Sequence, residues 1–206
     1  MLELYFAPLS CSLATRISAY EAGLPLAAHE VRLSDKTLVA DGADYLAINP
    51  KGQVPALRLE SGDILTEGPA VLQYVADLAP ASGLAPPAGT LPRYRLQQWL
   101  NYISTEVHKA VFYTLFNPAS PPEARAFARE VLAPARYDHL SAHLADREFL
   151  LDGFTVADAY LTTTLNWAAP GGIDLARWPV LVAYHGRMMQ RPAVARAVGE
   201  EAALRA

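Results

Sequence analysis

Residues 79 to 92, Ala-Pro-Ala-Ser-Gly-Leu-Ala-Pro-Pro-Ala-Gly-Thr-Leu-Pro, separate two stretches of chain whose apolar residues follow different periods. Proline and glycine at that density suit neither a β ladder nor a helix interior, so the segment reads as a linker. Before it, Leu2, Leu4 and Phe6 alternate with Glu3 and Tyr5 as in a strand. A helix follows from about Cys11 to Ala22, stopped by Gly23 and Pro25. Further strands cover about 28–33, 54–59 and 64–65, with a short helical piece near 44–48. The turn Glu60-Ser61-Gly62-Asp63 joins the last two strands, and a helix opened by Pro69 runs to Leu78. After the linker every segment is helical: about 92–116, 121–145, 155–168, 178–190 and 192–204. Pro134 falls inside the second of these and is expected to kink it. The expected domains are therefore 1–79, mixed α/β in the order β-α-β-α-β-β-α, a linker 80–91, and an all-helical domain 92–206.

With 52% hydrophobic and 18% charged residues, a chain of 206 builds an ordinary core. Its formal charge of −4 and lack of a basic run argue against nucleic acid as a partner. No apolar run is long enough to span a bilayer, and the start carries no secretory pattern, so a cytoplasmic protein is expected.

The single cysteine rules out an internal disulfide and a thiolate-rich zinc site. Cys11 lies where the first strand hands over to the first helix. Unsatisfied N–H groups and the partial positive charge of a helix start both stabilise a thiolate there. The alternative is a small buried hydrophobe that happens to begin a helix. A dithiol motif needs a second Cys three residues on, where Ala14 stands, so redox chemistry must borrow its other thiol from a small molecule.

Two further segments suggest a peptide-like ligand. Pro55 heads an apolar strand but cannot donate to a ladder, so a bend here leaves the Val54 main chain open to an extended peptide. An ordinary edge-strand proline fits the sequence as well. In Leu65-Thr66-Glu67-Gly68-Pro69, glycine permits close approach and the helix start favours a carboxylate, while Glu67 suits an ammonium. That combination fits the free amino-acid end of a peptide; a simple helix cap at Thr66 or Glu67 is the competing reading.

Taken in order, these blocks resemble bacterial glutathione transferases, most closely the beta class. The matching residues are Ala7-Pro8-x-x-Cys11-Ser12-Leu13-Ala14, Asp44-Tyr45-Leu46-Ala47-x-Asn49-Pro50-Lys51-Gly52-Gln53-Val54-Pro55-Ala56-Leu57 and Leu65-Thr66-Glu67-Gly68. They continue with Trp99-Leu100-Asn101-Tyr102-Ile103-Ser104-x-Glu106-x-His108-Lys109 and Phe154-Thr155-Val156-Ala157-Asp158-Ala159-Tyr160. The resemblance spans nearly the whole chain. It implies a thioredoxin-like N-terminal domain, a helical C-terminal domain, a homodimer and a cis bond before Pro55. It implies Cys11 and His108 as catalytic residues, His108 favouring a thiolate on glutathione or Cys11. Glutathione is then held by Gln53, the Val54 main chain, Pro55 and Glu67-Gly68. Lys36, His108 and Lys109 match positions near the glycine carboxylate or the sulfur, and Asn101 and Thr105 positions reaching the neighbouring subunit's glutathione. The implied activity is conjugation to electrophilic apolar compounds or glutathione-dependent thiol–disulfide exchange, with glutathione as co-substrate and no cofactor or metal. A binding module of the same fold without turnover is the alternative; such proteins often lose the Cys or the Glu-Gly pair, which this chain keeps. Leu9-Ser10 departs from the usual Gly-Ala. For the reactive group Cys11 leads, Ser10 and Ser12 follow, and Tyr5 comes last.

At 100° per residue, Asn101, Thr105 and His108 fall within about a 60° arc, opposite Leu96, Leu100, Ile103, Val107 and Val111. A solvated polar face is the plainer reading of that arc. Thr155-x-x-Asp158 reads as a capping box with Asp for Glu. His139 and His143 are four apart, but nothing nearby completes a metal-ligand set. Phe112, Tyr113, Phe116 and Trp167 are either core or the lining of an apolar pocket.

Overall fold

The computed structural model describes residues 1–205. Contacts divide the chain into two compact units, Met1–Ala85 together with the segment from Pro192, and Pro86–Arg191.

In the first unit, β1 (Leu2–Phe6) is followed by α1 (Leu13–Glu21), β2 (Leu26–Arg32), β3 (Thr37–Leu38), β4 (Ala56–Arg58), β5 (Ile64–Thr66) and α2 (Gly68–Leu78). The sheet order is β3-β2-β1-β4-β5. β1 runs parallel to β2 and antiparallel to β4, which forms a hairpin with β5. This is a thioredoxin-like mixed sheet, and the alternation in β1 builds both of its faces. Leu2, Leu4 and Phe6 pack with Ala19 of α1 and Val71 and Val75 of α2, burying one face. Tyr5 points the other way into a smaller cluster with Val31, Tyr45 and Ala56. The two-residue β3 is too short to leave a period, and the sequence does not signal it.

The second unit is helical. α3 (Leu91–Tyr102) continues through a π-helical stretch, Ile103–Tyr113, into α4 (Thr114–Phe116). α5 (Pro122–Phe127) passes through a second π-helical stretch, Ala128–Leu132, into α6 (Ala133–Leu144). Pro134 sits in the first turn of α6, where a missing N–H is tolerated, so the change of winding takes the place of a simple kink. α7 (Val156–Leu165) is buried at every position and forms the centre of the unit, followed by α8 (Pro179–Met189). Leu96, Leu100, Ile103, Val107 and Val111 are fully buried, as their spacing predicts.

α9 (Pro192–Ala203) packs on α1 and belongs to the first unit. Its apolar period marks it as a helix without indicating which core it joins, so the sequence groups it with the helices before it. Among the described residues no helix is long and apolar enough to cross a membrane.

The capping box at α7 forms, and it does more than cap. The Asp158 carboxylate accepts hydrogen bonds from the Thr155 N–H and hydroxyl, the Leu150 N–H and the Tyr184 hydroxyl, all at 2.9 Å. Burial pushes this carboxyl's pKa up, and these donors pull it back. Replacing Asp158 with Ala strands several buried donors at once, so a loss of about 3–5 kcal/mol is expected. Thermal unfolding should then show a midpoint about 10 °C lower, whereas Asp158→Asn should lose less.

Candidate active site

The turn from β1 into α1 carries the thiol. Cys11 lies just before the helix, since Ser12 is the N-cap residue and α1 proper begins at Leu13. The Cys11 thiol donates to the Val54 carbonyl at 3.1 Å. Ser12 is fully buried, with its Oγ bonded to the Ala7 carbonyl and to Ser10 Oγ, so it ties the turn together and is withdrawn from chemistry. Tyr5 is withdrawn too. Its ring stacks on His29, and its hydroxyl accepts from the Arg58 guanidinium at 3.0 and 3.2 Å.

Val54 and Pro55 are joined by a cis peptide bond and lie outside the β1–β4 ladder, which begins at Ala56. Side chains hold this segment instead. The Gln53 carbonyl accepts from the Tyr45 hydroxyl at 2.8 Å and the Asn49 amide at 2.7 Å. Burial pushes the Tyr45 phenol up to about 12, which keeps its proton in place for that bond. Gly52 has a φ of +60°, and a Cβ there would lie 3.1 Å from Lys36 Cδ, so the Lys36 stem lies against this loop. At the other end, Lys51 Nζ meets Glu67 Oε1 at 2.5 Å and Thr66 Oγ1 at 2.8 Å. Glu67 is the N-cap residue of α2, and Gly68 is its first residue. Lys36, Gln53, Val54, Pro55, Glu67 and Gly68 therefore join Cys11 along one continuous edge of the first unit.

That edge is strained. Among the described residues, the non-glycine positions with positive φ are Leu9 (59°), Lys36 (59°) and Glu67 (70°), and all three border it. Backbone of this kind costs on the order of 1–3 kcal/mol per residue and gathers where function fixes geometry. Leu9 is held from far along the chain. Its N–H donates to Glu201 Oε2 at 2.7 Å, and Arg205 donates to the Pro8 carbonyl at 2.6 Å. Glu201 Oε1 also accepts from the buried Arg16 guanidinium at 2.8 Å.

In the second unit, exposure recurs at Asn101, Thr105, Lys109 and Tyr113. The winding of 100° per residue does not apply across the π-helical stretch, which contains His108. This residue is half-buried, with Nδ1 2.7 Å from the Tyr160 hydroxyl and its ring 5.0 Å from that of Trp167. Burial, then the Lys109 charge, lowers its pKa to about 4. His108 is therefore neutral at neutral pH and acts as a hydrogen-bonding group without charge. The four aromatics divide between the two readings: Phe112 is fully buried and Trp167 nearly so, while Tyr113 and Phe116 are exposed. His139 and His143 pack against Trp99, and His143 Nε2 bonds the Leu150 carbonyl.

Residues 10–78 match the family described as glutathione S-transferase, N-terminal domain, and residues 104–192 the corresponding C-terminal domain. Glutathione S-transferase GstA of Escherichia coli O157:H7 is 40% identical, the match covering 97% of this chain and 98% of that protein. The chain belongs to the glutathione S-transferase family. Among solved structures, the ternary complex of BphK, a bacterial GST, superposes with a TM-score of 0.93 at 46% identity, covering 97% of this chain and 99% of that one. The beta class enzyme of Sphingomonas chungbukensis gives 0.92 at 43% identity, with 97% and 98% covered. A sphingomonad glutathione S-transferase complexed with glutathione gives 0.92 at 46% identity, with the same coverage.

Against that family background, Leu9 explains why Leu9-Ser10 is an unusual pair: its left-handed backbone is one that glycine adopts freely. Sequence reasoning missed Lys51, although it stood inside a matched block, because its partner Glu67 comes from a different loop. It missed Glu201 and Arg205 because no local pattern links them to residues 8–16. Glu201→Ala leaves the buried Arg16 with only its longer contact to Glu200 at 3.3 Å and the Leu9 N–H without its acceptor, so urea unfolding should show a loss of about 3 kcal/mol. Iodoacetamide should also alkylate Cys11 faster, while Glu201→Gln shows a smaller change in both. For His108, a pKa lowered from 6.5 to about 4 means the folded protein binds fewer protons than the unfolded chain between those values. Its contribution is complete above pH 6.5 and disappears as pH falls towards 4. Stability measured over that window should fall by about 2–3 kcal/mol more in the parent than in His108→Gln.

Proposed function

We propose that this protein uses glutathione in the cytoplasm, conjugating it to electrophilic apolar acceptors or passing it through Cys11 in thiol–disulfide exchange. The observation that carries this reading is the bond from the Cys11 thiol to the Val54 carbonyl. The acceptor that an extended peptide needs is the group already touching the sulfur. A tripeptide pairing with Val54 through its central residue sets its own sulfur beside residue 11.

Glutathione lies along the edge from Lys36 and Gln53 to Glu67 and Gly68, its cysteinyl N–H directed at Val54. In conjugation its thiolate forms an S–C bond with the acceptor, and the leaving group departs with the bonding electrons. The thiol proton passes to solvent. In exchange, the Cys11 thiolate attacks the glutathionyl sulfur of a mixed disulfide and releases the other thiol. A second glutathione thiolate then restores Cys11 and leaves as oxidised glutathione. His108, Lys109, Asn101 and Thr105 are further proposed ligands from the second unit, with His108 acting as a neutral partner. Tyr113 and Phe116 supply exposed aromatic surface suited to an apolar acceptor. No cofactor or metal is part of this reading. Pairing of two copies is supported by the exposed Tyr94, Phe127 and Val131.

Two measurements test the proposal. Treatment with oxidised glutathione should add one glutathionyl group by intact mass, and Cys11→Ala should abolish it; an unmodified parent protein rules out the exchange branch. Turnover of a chlorinated aromatic acceptor should exceed the uncatalysed rate, and glutathione binding without turnover on a broad panel of electrophiles and disulfides would leave a binding module.

A further inference from the structure

Lys51 reaches from the Asn49–Pro55 loop to the start of α2, where its ammonium touches both the Glu67 carboxylate and the Thr66 hydroxyl. The side chains of Lys51 and Glu67 are 51% and 71% exposed, so a ligand can reach both charges. An ion pair this open adds little to the fold. Its arrangement matters more: a negative and a positive group stand side by side next to a helix start with no acidic residue in its first turn.

The free end of a γ-glutamyl peptide carries an ammonium and a carboxylate on one carbon. Bound by Glu67 alone, that end would hold its own carboxylate within a few ångströms of the protein's. The α2 N-terminus offsets this repulsion with only about half a unit of positive charge. A lysine at that spot supplies a whole one. We propose that Lys51 determines specificity for the free α-carboxylate of the γ-glutamyl end, while Glu67 takes the ammonium. One ion pair within the protein is exchanged for two between protein and ligand, head to tail, with no net loss of paired charge. The inference rests on the reading that glutathione docks along this edge, and it adds a residue that selects for both charges at the ligand's far end.

Calorimetric titration of the parent, Lys51→Met and Glu67→Gln with three peptides separates the contributions. The peptides are glutathione, 4-aminobutyryl-Cys-Gly, which lacks the α-carboxylate, and glutaryl-Cys-Gly, which lacks the ammonium. Lys51→Met should weaken glutathione about fivefold and leave 4-aminobutyryl-Cys-Gly unchanged. Glu67→Gln should weaken both of those and spare glutaryl-Cys-Gly. Equal or tighter glutathione binding by Lys51→Met overturns the proposal, making the lysine a bystander or a competitor for Glu67. Equal weakening of glutathione and 4-aminobutyryl-Cys-Gly also overturns it, because Lys51 would then act only by holding Glu67. If the parent binds none of the three, the docking reading fails along with the inference.

Discussion

Main chain that is to receive a peptide must be kept out of the protein's own ladder and still be held rigid. Asn49 to Pro55 meets both conditions. The β1–β4 pairing begins only at Ala56, and the loop is fixed from behind by Tyr45 and Asn49 on the Gln53 carbonyl. Those two bonds converge on one oxygen, so Val54 is positioned by its neighbour and keeps its own carbonyl directed at Cys11. Tyr45 can serve only because it is buried in the small cluster beneath the sheet, where it remains a donor. The outer face of β1 thus supports the ligand edge while the inner face supports the fold.

The same edge concentrates backbone strain, and the structure opposes it with contacts distant in sequence. Leu9, in a left-handed conformation, is tied to Glu201 nearly two hundred residues away. The same carboxylate holds Arg16, whose guanidinium lies over the Phe6 ring at 4.3 Å. A single buried acid on α9 therefore couples the end of β1, the cysteine turn and α1. A helix that looks like the last member of the helical domain is in effect a brace for the thiol.

What the sequence made legible follows from how local each cause is. The alternation of β1, the glycine and proline stops, the packing row Leu96, Leu100, Ile103, Val107 and Val111, and the Thr155–Asp158 box each arise within one turn or one strand, and each is present in the fold. The proposed ligand edge is marked in the sequence only by the motif blocks at Cys11, Val54 and Glu67. What joins those blocks is tertiary: Lys51 to Glu67, Lys36 to Gly52, Glu201 to Leu9. No period in the chain encodes those meetings. The π-helical winding of residues 103–113 is likewise invisible to a wheel drawn at a fixed angle, so the angles drawn for Asn101, Thr105 and His108 do not carry over.

With its pKa lowered by burial, His108 offers a hydrogen-bonding ring and no charge. A group with a pKa near 4 brings no positive charge at neutral pH, and Cys11 stands just outside α1, with its proton directed at a carbonyl. Losing that proton while the carbonyl stays bare would set a negative sulfur against a negative oxygen. In the proposed docking, an N–H donated by the peptide to the Val54 carbonyl eases that conflict, because it offsets part of the oxygen's negative charge.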